Sequence, residues 1–298
     1  MRKGIIYAVI TYLCWGLLPL YWRMFDTMSA LEVLSHRVLW SFVFVAIVVT
    51  VAKRWKHMKA AVADRKSKVA VTLCALFISC NWLIFIWAVN NNHVIETSLG
   101  YYMNPLISVL FAVVFLKERL RMGQWLAIVL AGVGVLILAI QYGHVPWISI
   151  SLATTFALYG LAKKIAKLDV LLGLTWETLI VFPISLLYLA FIHTQGNPTL
   201  STLSSTSLIL LLLAGIATAM PLFWFAKAAE LLPLSMVGFI QYIAPTTSLL
   251  LAIFVFNEPF TNGQLISFIL IWGALVLYSI ATFRTSKSTQ QIKEAKAA

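Results

Sequence analysis

Ten apolar stretches of 17 to 23 residues follow one another along the chain, at 4–22, 34–52, 69–89, 97–116, 123–141, 146–162, 172–192, 208–227, 234–256 and 263–283. About twenty residues of α-helix cross the ~30 Å hydrocarbon core of a bilayer. Hydrocarbon offers the backbone no hydrogen-bond partner, so such runs must be helices that satisfy their own N–H and C=O groups. Composition agrees: 61% of the 298 residues are hydrophobic, 11% are charged, and the mean hydropathy is +0.93. A soluble domain is about 45–50% apolar and about a quarter charged. The expected fold class is therefore an all-α polytopic membrane protein with ten transmembrane helices. The first run follows Met1-Arg2-Lys3 like a signal peptide. It lacks a small-residue cleavage site, ends in Trp22-Arg23 and precedes many more runs, so it reads as a retained span.

A net charge of +12 would ordinarily raise nucleic acid as a partner. Here the basic residues lie between apolar runs, where they act as topology signals, and no nucleic-acid binding is expected. With the N-terminus inside, the inner connections hold 20 of the 22 Lys and Arg residues, seven of them in 53–68. The outer side holds Arg23, with Arg37 just inside a span. That bias predicts both termini in the cytoplasm. The basic 53–68 loop is expected to lie against anionic lipid headgroups. Cys14, Cys74 and Cys80 fall within apolar stretches without metal-ligand spacing and read as buried small hydrophobes. No metal or cofactor is expected. The expected partners are the lipid bilayer and a small-molecule substrate, and the sequence permits a homodimer.

The chain also repeats itself. Residues 101–124 read YYMNPLISVLFAVVFLKERLRMGQ and 241–264 read QYIAPTTSLLLAIFVFNEPFTNGQ. At a constant offset of 140, Tyr102 pairs with Tyr242, Pro105 with Pro245, Ser108 with Ser248, and Leu110 with Leu250. Ala112, Glu118, Gly123 and Gln124 pair with Ala252, Glu258, Gly263 and Gln264. Trp15-Gly16-Leu17 in the first span aligns with Tyr159-Gly160-Leu161 in the sixth. The domains expected are a first repeat at 1–142, a second at 143–283, and a cytoplasmic basic tail at 284–298. Five spans per unit force the two copies into opposite orientations. The basic KERLR turn and the uncharged-or-acidic NEPFTN turn fit opposite sides. Inverted repeats recur in transporters, whose substrate site lies near the midplane between the halves.

Two five-span halves, each with a Pro-containing span, a Glu turn and a Gly-Gln-starting span, resemble the EamA repeat of the drug/metabolite transporter superfamily. The strings YLCWGLLPLYW, LSHRVLWS, NWLIFIWAVNNNHVIETSLGYYMNPL and FIQYIAPTTSLLLAIFVFNEPF resemble its RarD branch. The resemblance covers nearly the whole chain. It implies a multi-pass bacterial inner-membrane transporter that exports a small organic solute. NEPF departs from KERL in lacking a basic residue after Glu, as an inverted orientation requires.

Polar groups inside spans are costly and ask for an explanation. Arg37 lies about one turn into span two beside His36, and the offset of 140 maps it onto Glu177, early in span seven. Similar depths from opposite faces argue against a direct ion pair. Each could snorkel or cap a helix end. In the functional reading Glu177 takes a coupling proton, or Arg37 holds a substrate carboxylate. A second candidate group is Asn81, Trp82, Tyr101, Tyr102, Asn104, Trp176, Trp224, Gln241 and Tyr242: aromatic faces with a few amides suit an amphipathic organic solute. Helix–helix glue and core packing are the alternative for each. Asn104-Pro105 and Ala244-Pro245 are expected to interrupt helical bonding near mid-span. Glu118 and Glu258 read as anchors of their turns or of the next helix. Glu96 and Asn90-Asn91-Asn92-His93 read as a solvated outer turn. The chain carries no Walker A, HExxH or GxSxG pattern, and no connection is long enough for a sensing domain. The expected function is thus secondary transport by alternating access, possible with proton coupling, rather than an enzyme; a receptor or scaffold without transport is the alternative.

Overall fold

A computed structural model describes residues 2–116, 120, 122–142, 145–166, 169–195, 203–232 and 240–297. Among the described residues the elements are all helical: α1 (Arg2–Arg23), α2 (Ala30–Val51), α3 (Trp55–Ala61), α4 (Arg65–Asn90), α5 (Val94–Leu116) and α6 (Met122–Tyr142). These are followed by α7 (Trp147–Ala166), α8 (Val170–Thr194), α9 (Ser205–Leu231), α10 (Ile243–Phe254) and α11 (Asn262–Ala297). Glu118 and residues 234–239 lie outside the described residues.

Side-chain caps set several helix starts. Ser29 Oγ accepts from Glu32 N at 3.2 Å, and Asp64 Oδ1 accepts from Ser67 N at 2.6 Å. Asp169 Oδ1 accepts from Leu171 N and Leu172 N. Thr261 and Gln264 exchange bonds between backbone N–H and side-chain oxygen as a capping box. The cap at Ser29 starts α2 four residues before the expected boundary, so Arg37 lies about two turns deep rather than one. Glu177 is equally deep in α8.

Among the described residues, eight helices are long and apolar enough to span a bilayer. Two of the ten expected spans fall short among the described residues. At 20 residues, α7 is long enough but not apolar enough; it packs against both α4 and α5 and carries Lys163. A helix enclosed by others needs less apolar surface than one facing lipid. The other, α10, has 12 residues and covers only the later part of 234–256. Pro245 falls in its first turn, where a missing N–H costs nothing, so the interruption of this segment lies at the Gln241-Tyr242 turn instead. In α5 the helix continues through Pro105. The expected 284–298 tail continues α11 as helix as far as Ala297. The basic loop contains α3, whose Met58 is buried while Lys56, His57 and Lys59 are exposed. Cys80 is exposed, unlike the buried Cys74.

The packing of the helices is nearly unchanged when the chain's halves are exchanged. Pairing α1, α2, α4, α5 and α6 with α7 to α11 in order turns the α5–α7 contact into α10–α1, and α4–α7 into α9–α1. It turns α2–α9 into α8–α4, while α2–α8, α5–α10 and α6–α11 map onto themselves. In those last pairs residues 140 apart meet each other. Phe42 packs on Phe182 with ring centroids 4.7 Å apart, and Tyr102 on Tyr242 at 6.1 Å. Gly123 approaches Ala281 while Gly263 approaches Gln141, a reciprocal contact at the two ends of one seam. The start of α6 thus meets Ala281, nineteen residues along α11, while the start of α11 meets the end of α6, so the two run antiparallel. A two-fold that exchanges antiparallel helices lies across them.

Large apolar side chains such as Ile47, Leu76, Val129, Leu187 and Ile269 are exposed on this bundle, as a lipid-solvated surface requires. Inside, small residues permit close approach. A Cβ on Gly215 of α9 would stand 2.2 Å from the Trp40 carbonyl oxygen of α2, a backbone atom that cannot move without its helix. Gly132 has nothing within 4 Å of the same position. Gly215→Val is expected to lower stability by about 1–3 kcal/mol through overpacking, and Gly132→Val to leave it unchanged. Thermal unfolding of the purified variants checks this; equal melting temperatures would remove the close α2–α9 contact from the account.

Candidate functional site

Arg37 is buried in α2, 4% exposed. Its guanidinium carbon lies 4.0 Å from the Trp82 ring centroid and 4.7 Å from that of Trp22. Nε donates to Thr218 Oγ1 of α9 at 3.1 Å, while Nη1 is buried without a hydrogen-bond partner. Stacking on aromatic faces favours the cation, but no ion pair to a carboxylate forms among the described residues. The side chain neither snorkels nor caps its helix.

Its repeat mate is arranged differently. Glu177, 3% exposed, receives Lys163 Nζ at 2.9 Å and the Tyr159 hydroxyl at 3.1 Å. Lys163 also lies 5.3 Å from the Tyr159 ring. Tyr159 and Lys163 are four residues apart on α7 and therefore share a face. This ion pair was missed in the sequence because Lys163 counts there as an inner-loop charge; the Tyr-x-x-x-Lys spacing was the available signal. Thr218 and Trp22 left no comparable signal.

The uncharged candidates divide. Tyr102 OH and Thr246 Oγ1 lie 2.5 Å apart, and Thr246 donates to the Tyr242 carbonyl at 2.7 Å. The Tyr102–Tyr242 stack therefore lies on the axis and is pinned by Thr246. Asn81 is fully engaged: it donates to Leu152 O and Thr155 Oγ1, each at 3.0 Å, and accepts from Tyr101 OH at 3.2 Å. It ties α4 to α5 and α7. Asn104 accepts from Ser108 Oγ at 3.2 Å, and its Nδ2 is buried without a partner. Trp176 Nε1 donates to Met58 O at 3.0 Å and so docks α3 onto α8. Trp224 and Gln241 are half-buried.

Two segments of this chain, residues 2–140 and 146–280, match the EamA-like transporter family. The chain belongs to that family. Among its relatives, it is 42% identical to the uncharacterized transporter YojE of Bacillus subtilis (strain 168), covering 97% of both chains. It is 39% identical to Protein RarD of Streptomyces exfoliatus, covering 99% of this chain and 94% of that one. It is 36% identical to Protein RarD of Escherichia coli (strain K12), covering 97% and 98%. A solved crystal structure 18% identical in sequence shares the fold, with a TM-score of 0.59 over 96% of this chain and 99% of the other.

One end of this EamA chain is fastened across its halves. Glu258, 6% exposed between α10 and α11, accepts from Val94 N at 2.7 Å and Ile95 N at 2.9 Å. It therefore caps the start of α5 rather than its own turn or α11, which Thr261 and Gln264 cap. Burial raises its carboxyl above the ordinary range, against the pull of the two N–H donors. Nearby, Arg23 Nη1 donates to Val89 O at 2.8 Å, and Asn90 Nδ2 to Phe25 O at 3.4 Å. Nor is Glu96 a solvated turn residue. It is buried, its carboxylate meets His93 Nδ1 at 3.0 Å, and its carbonyl accepts from Ser149 Oγ at 2.7 Å. Glu258→Gln leaves a single acceptor oxygen for two N–H groups, and a buried unsatisfied donor costs about 1–3 kcal/mol. The expected result is a lower melting temperature with faster amide exchange at Val94 and Ile95. Unchanged exchange at both would remove this cap from the account.

Proposed function

We propose that this EamA-family chain is a secondary-active transporter, not an enzyme, that exports a small organic metabolite or drug-like solute from the bacterial cytoplasm by alternating access. In this reading ten spans form two inverted five-span repeats in the inner membrane, both termini inside. The observation that carries it is the meeting of repeat mates, Tyr102 on Tyr242 and Phe42 on Phe182, together with the antiparallel α6–α11 seam. Halves exchanged by an axis lying across the helices can trade roles toward the two sides, and the two arrangements are then close in free energy. A difference between corresponding positions supports the same reading. A Cβ on Gly16 would press on the Ala244 carbonyl and Thr247, whereas one on Gly160 meets nothing within 4 Å. The α1–α10 contact is closed at that position, and its counterpart on α7 is open. Relatives named as transporters agree with the class.

Glu177 carries the coupling proton in this proposal. Protonation would cancel the carboxylate that holds Lys163 and would release the ionic tie between α7 and α8. A titration is thereby converted into a change of helix packing. The test is solute flux in proteoliposomes across a broad metabolite panel, with and without an imposed proton gradient. Wild-type protein is expected to move at least one organic solute faster with the gradient. Glu177→Gln should abolish gradient-driven transport while leaving solute exchange within about twofold of wild type, because exchange needs no net proton movement. Undiminished driven transport in this variant would sink the proton role; absence of flux for every solute under every gradient would sink transport.

A further inference from the structure

Two buried charges at matching repeat positions are treated differently. Glu177 is neutralised by Lys163, whereas Arg37 has no ion pair to a carboxylate among the described residues. The phenols of Tyr101 and Tyr21 interact electrostatically with it. Tyr21 itself donates its hydroxyl to the Leu210 carbonyl, and Tyr101 donates to Asn81. Neither supplies a counter-charge. The Thr218 hydroxyl, Arg37's hydrogen-bond partner, already donates to Ala214 O at 2.9 Å, so it offers a lone pair only.

Unpartnered donors recur along the helix that carries this cation. Arg37 Nη1, Trp40 Nε1 and Ser41 Oγ are all buried without hydrogen-bond partners. Their spacing of three and four residues places them along one side of α2. Trp22 Nε1, also unpartnered, belongs to a ring stacked against the guanidinium. Buried polar groups are ordinarily satisfied, and a buried cation is ordinarily paired. A series of unmet N–H and O–H groups on the helix side of one unpaired guanidinium is complementary to a ligand with the opposite inventory: oxygen lone pairs and a negative charge. The flanking Trp22 and Trp82 rings, meanwhile, offer flat apolar faces.

We infer that Arg37 is the anion-recognition residue of the transport site, and that the transported solute is an organic carboxylate with a flat or apolar body. This deepens the transport reading above and rests on it. The carboxylate meets Nη1, and the body packs along the indoles of Trp22 and Trp82. Because Nη1 is sealed from solvent here, the ligand reaches it when the halves rearrange.

The experiment uses the purified full-length protein in nanodiscs, in chloride-free buffer, with benzoate and hexanoate as probes and benzamide and hexanamide as neutral counterparts. Binding is read from tryptophan fluorescence and from ligand-induced shifts in melting temperature. Both carboxylates should bind at least tenfold more tightly than their amides. Arg37→Gln should abolish that preference, and Arg37→Lys should keep part of it. The unliganded Arg37→Gln protein should melt at or above the wild-type temperature, since an unpaired buried cation has been removed. Amides binding as well as acids, carboxylates binding Arg37→Gln and wild type alike, or chloride alone giving the full shift would each overturn the proposal. So would a collapse of the unliganded variant's stability alongside a failure of wild type to prefer acids. Flux separates this from the broader reading. Neutral solutes carried equally by wild type and Arg37→Gln would leave transport standing without the anion site. Arg37-dependent carboxylate binding without flux of any solute would do the reverse.

Discussion

A chain surrounded by hydrocarbon has no solvent to complete its hydrogen bonds, and that constraint organises most of what this bundle does with its polar residues. Serine and threonine hydroxyls turn back on their own helices. Thr175 donates to Leu171 O, Thr178 to Leu174 O, and Ser35 to Leu31 O. Asn81 uses its amide to join three helices, and Glu258 spends both carboxylate oxygens on two backbone donors. Lys163 and Glu177 enter the interior together, because either alone would be a bare charge in a medium that penalises it. Against this economy the unmet groups on Trp22, His36, Arg37, Trp40 and Ser41 are conspicuous. They lie within twenty residues of one another in the first two helices of one half.

The second organising feature is that corresponding residues of the two halves touch. A residue can contact its own mate only near the axis that exchanges them, so Tyr102–Tyr242 and Phe42–Phe182 locate that axis without reference to any external frame. The reciprocal Gly123–Ala281 and Gly263–Gln141 approaches show that its partners run antiparallel. Such contacts are self-complementary, as in a two-fold dimer. Each half offers the other a near copy of its own surface. Differences between mates then become informative. The closed approach at Gly16 and the open one at Gly160 are the sort of departure that one conformation of an exchangeable pair must show.

How far the sequence could be read depended on the range of the interactions involved. Apolar runs report burial residue by residue, so most helices were legible, and the repeat at an offset of 140 was visible because Pro, Glu and Gly-Gln are rare coincidences. Boundaries slipped where a short polar residue governed them: Ser29 starts α2 ahead of its apolar run. Partners distant in sequence were invisible. Nothing near Glu258 points to Val94, some 164 residues away, and the local reading assigned the carboxylate to its own turn. Lys163 looked like a topology signal because hydropathy counts charge without direction, whereas its ammonium folds back onto Tyr159 and Glu177. Trp176 looked like a member of an aromatic group until Met58 O took its N–H. The positions singled out by charge, Arg37 and Glu177, are both buried.

Those two positions occupy the same place in the repeat and carry opposite signs, so the scaffold is symmetric and its chemistry is not. If both were unpaired they would cancel across the axis. They do not, because Lys163 has already neutralised the acidic member, while Arg37 has no ion pair among the described residues. On the proposed reading, an anionic solute completes the pairing at Arg37. The empty protein must instead rearrange around an unpaired guanidinium, held by two indole faces and the Thr218 hydroxyl. Coulombic cost in a low-dielectric interior falls steeply when a counter-ion is present, so the loaded protein crosses between states more readily than the empty one. In the proposed reading a proton on Glu177 would act on the same balance, cancelling the carboxylate and freeing the Lys163 charge. Substrate and proton would then be linked through the shared charge of the core, without any need for the two sites to touch.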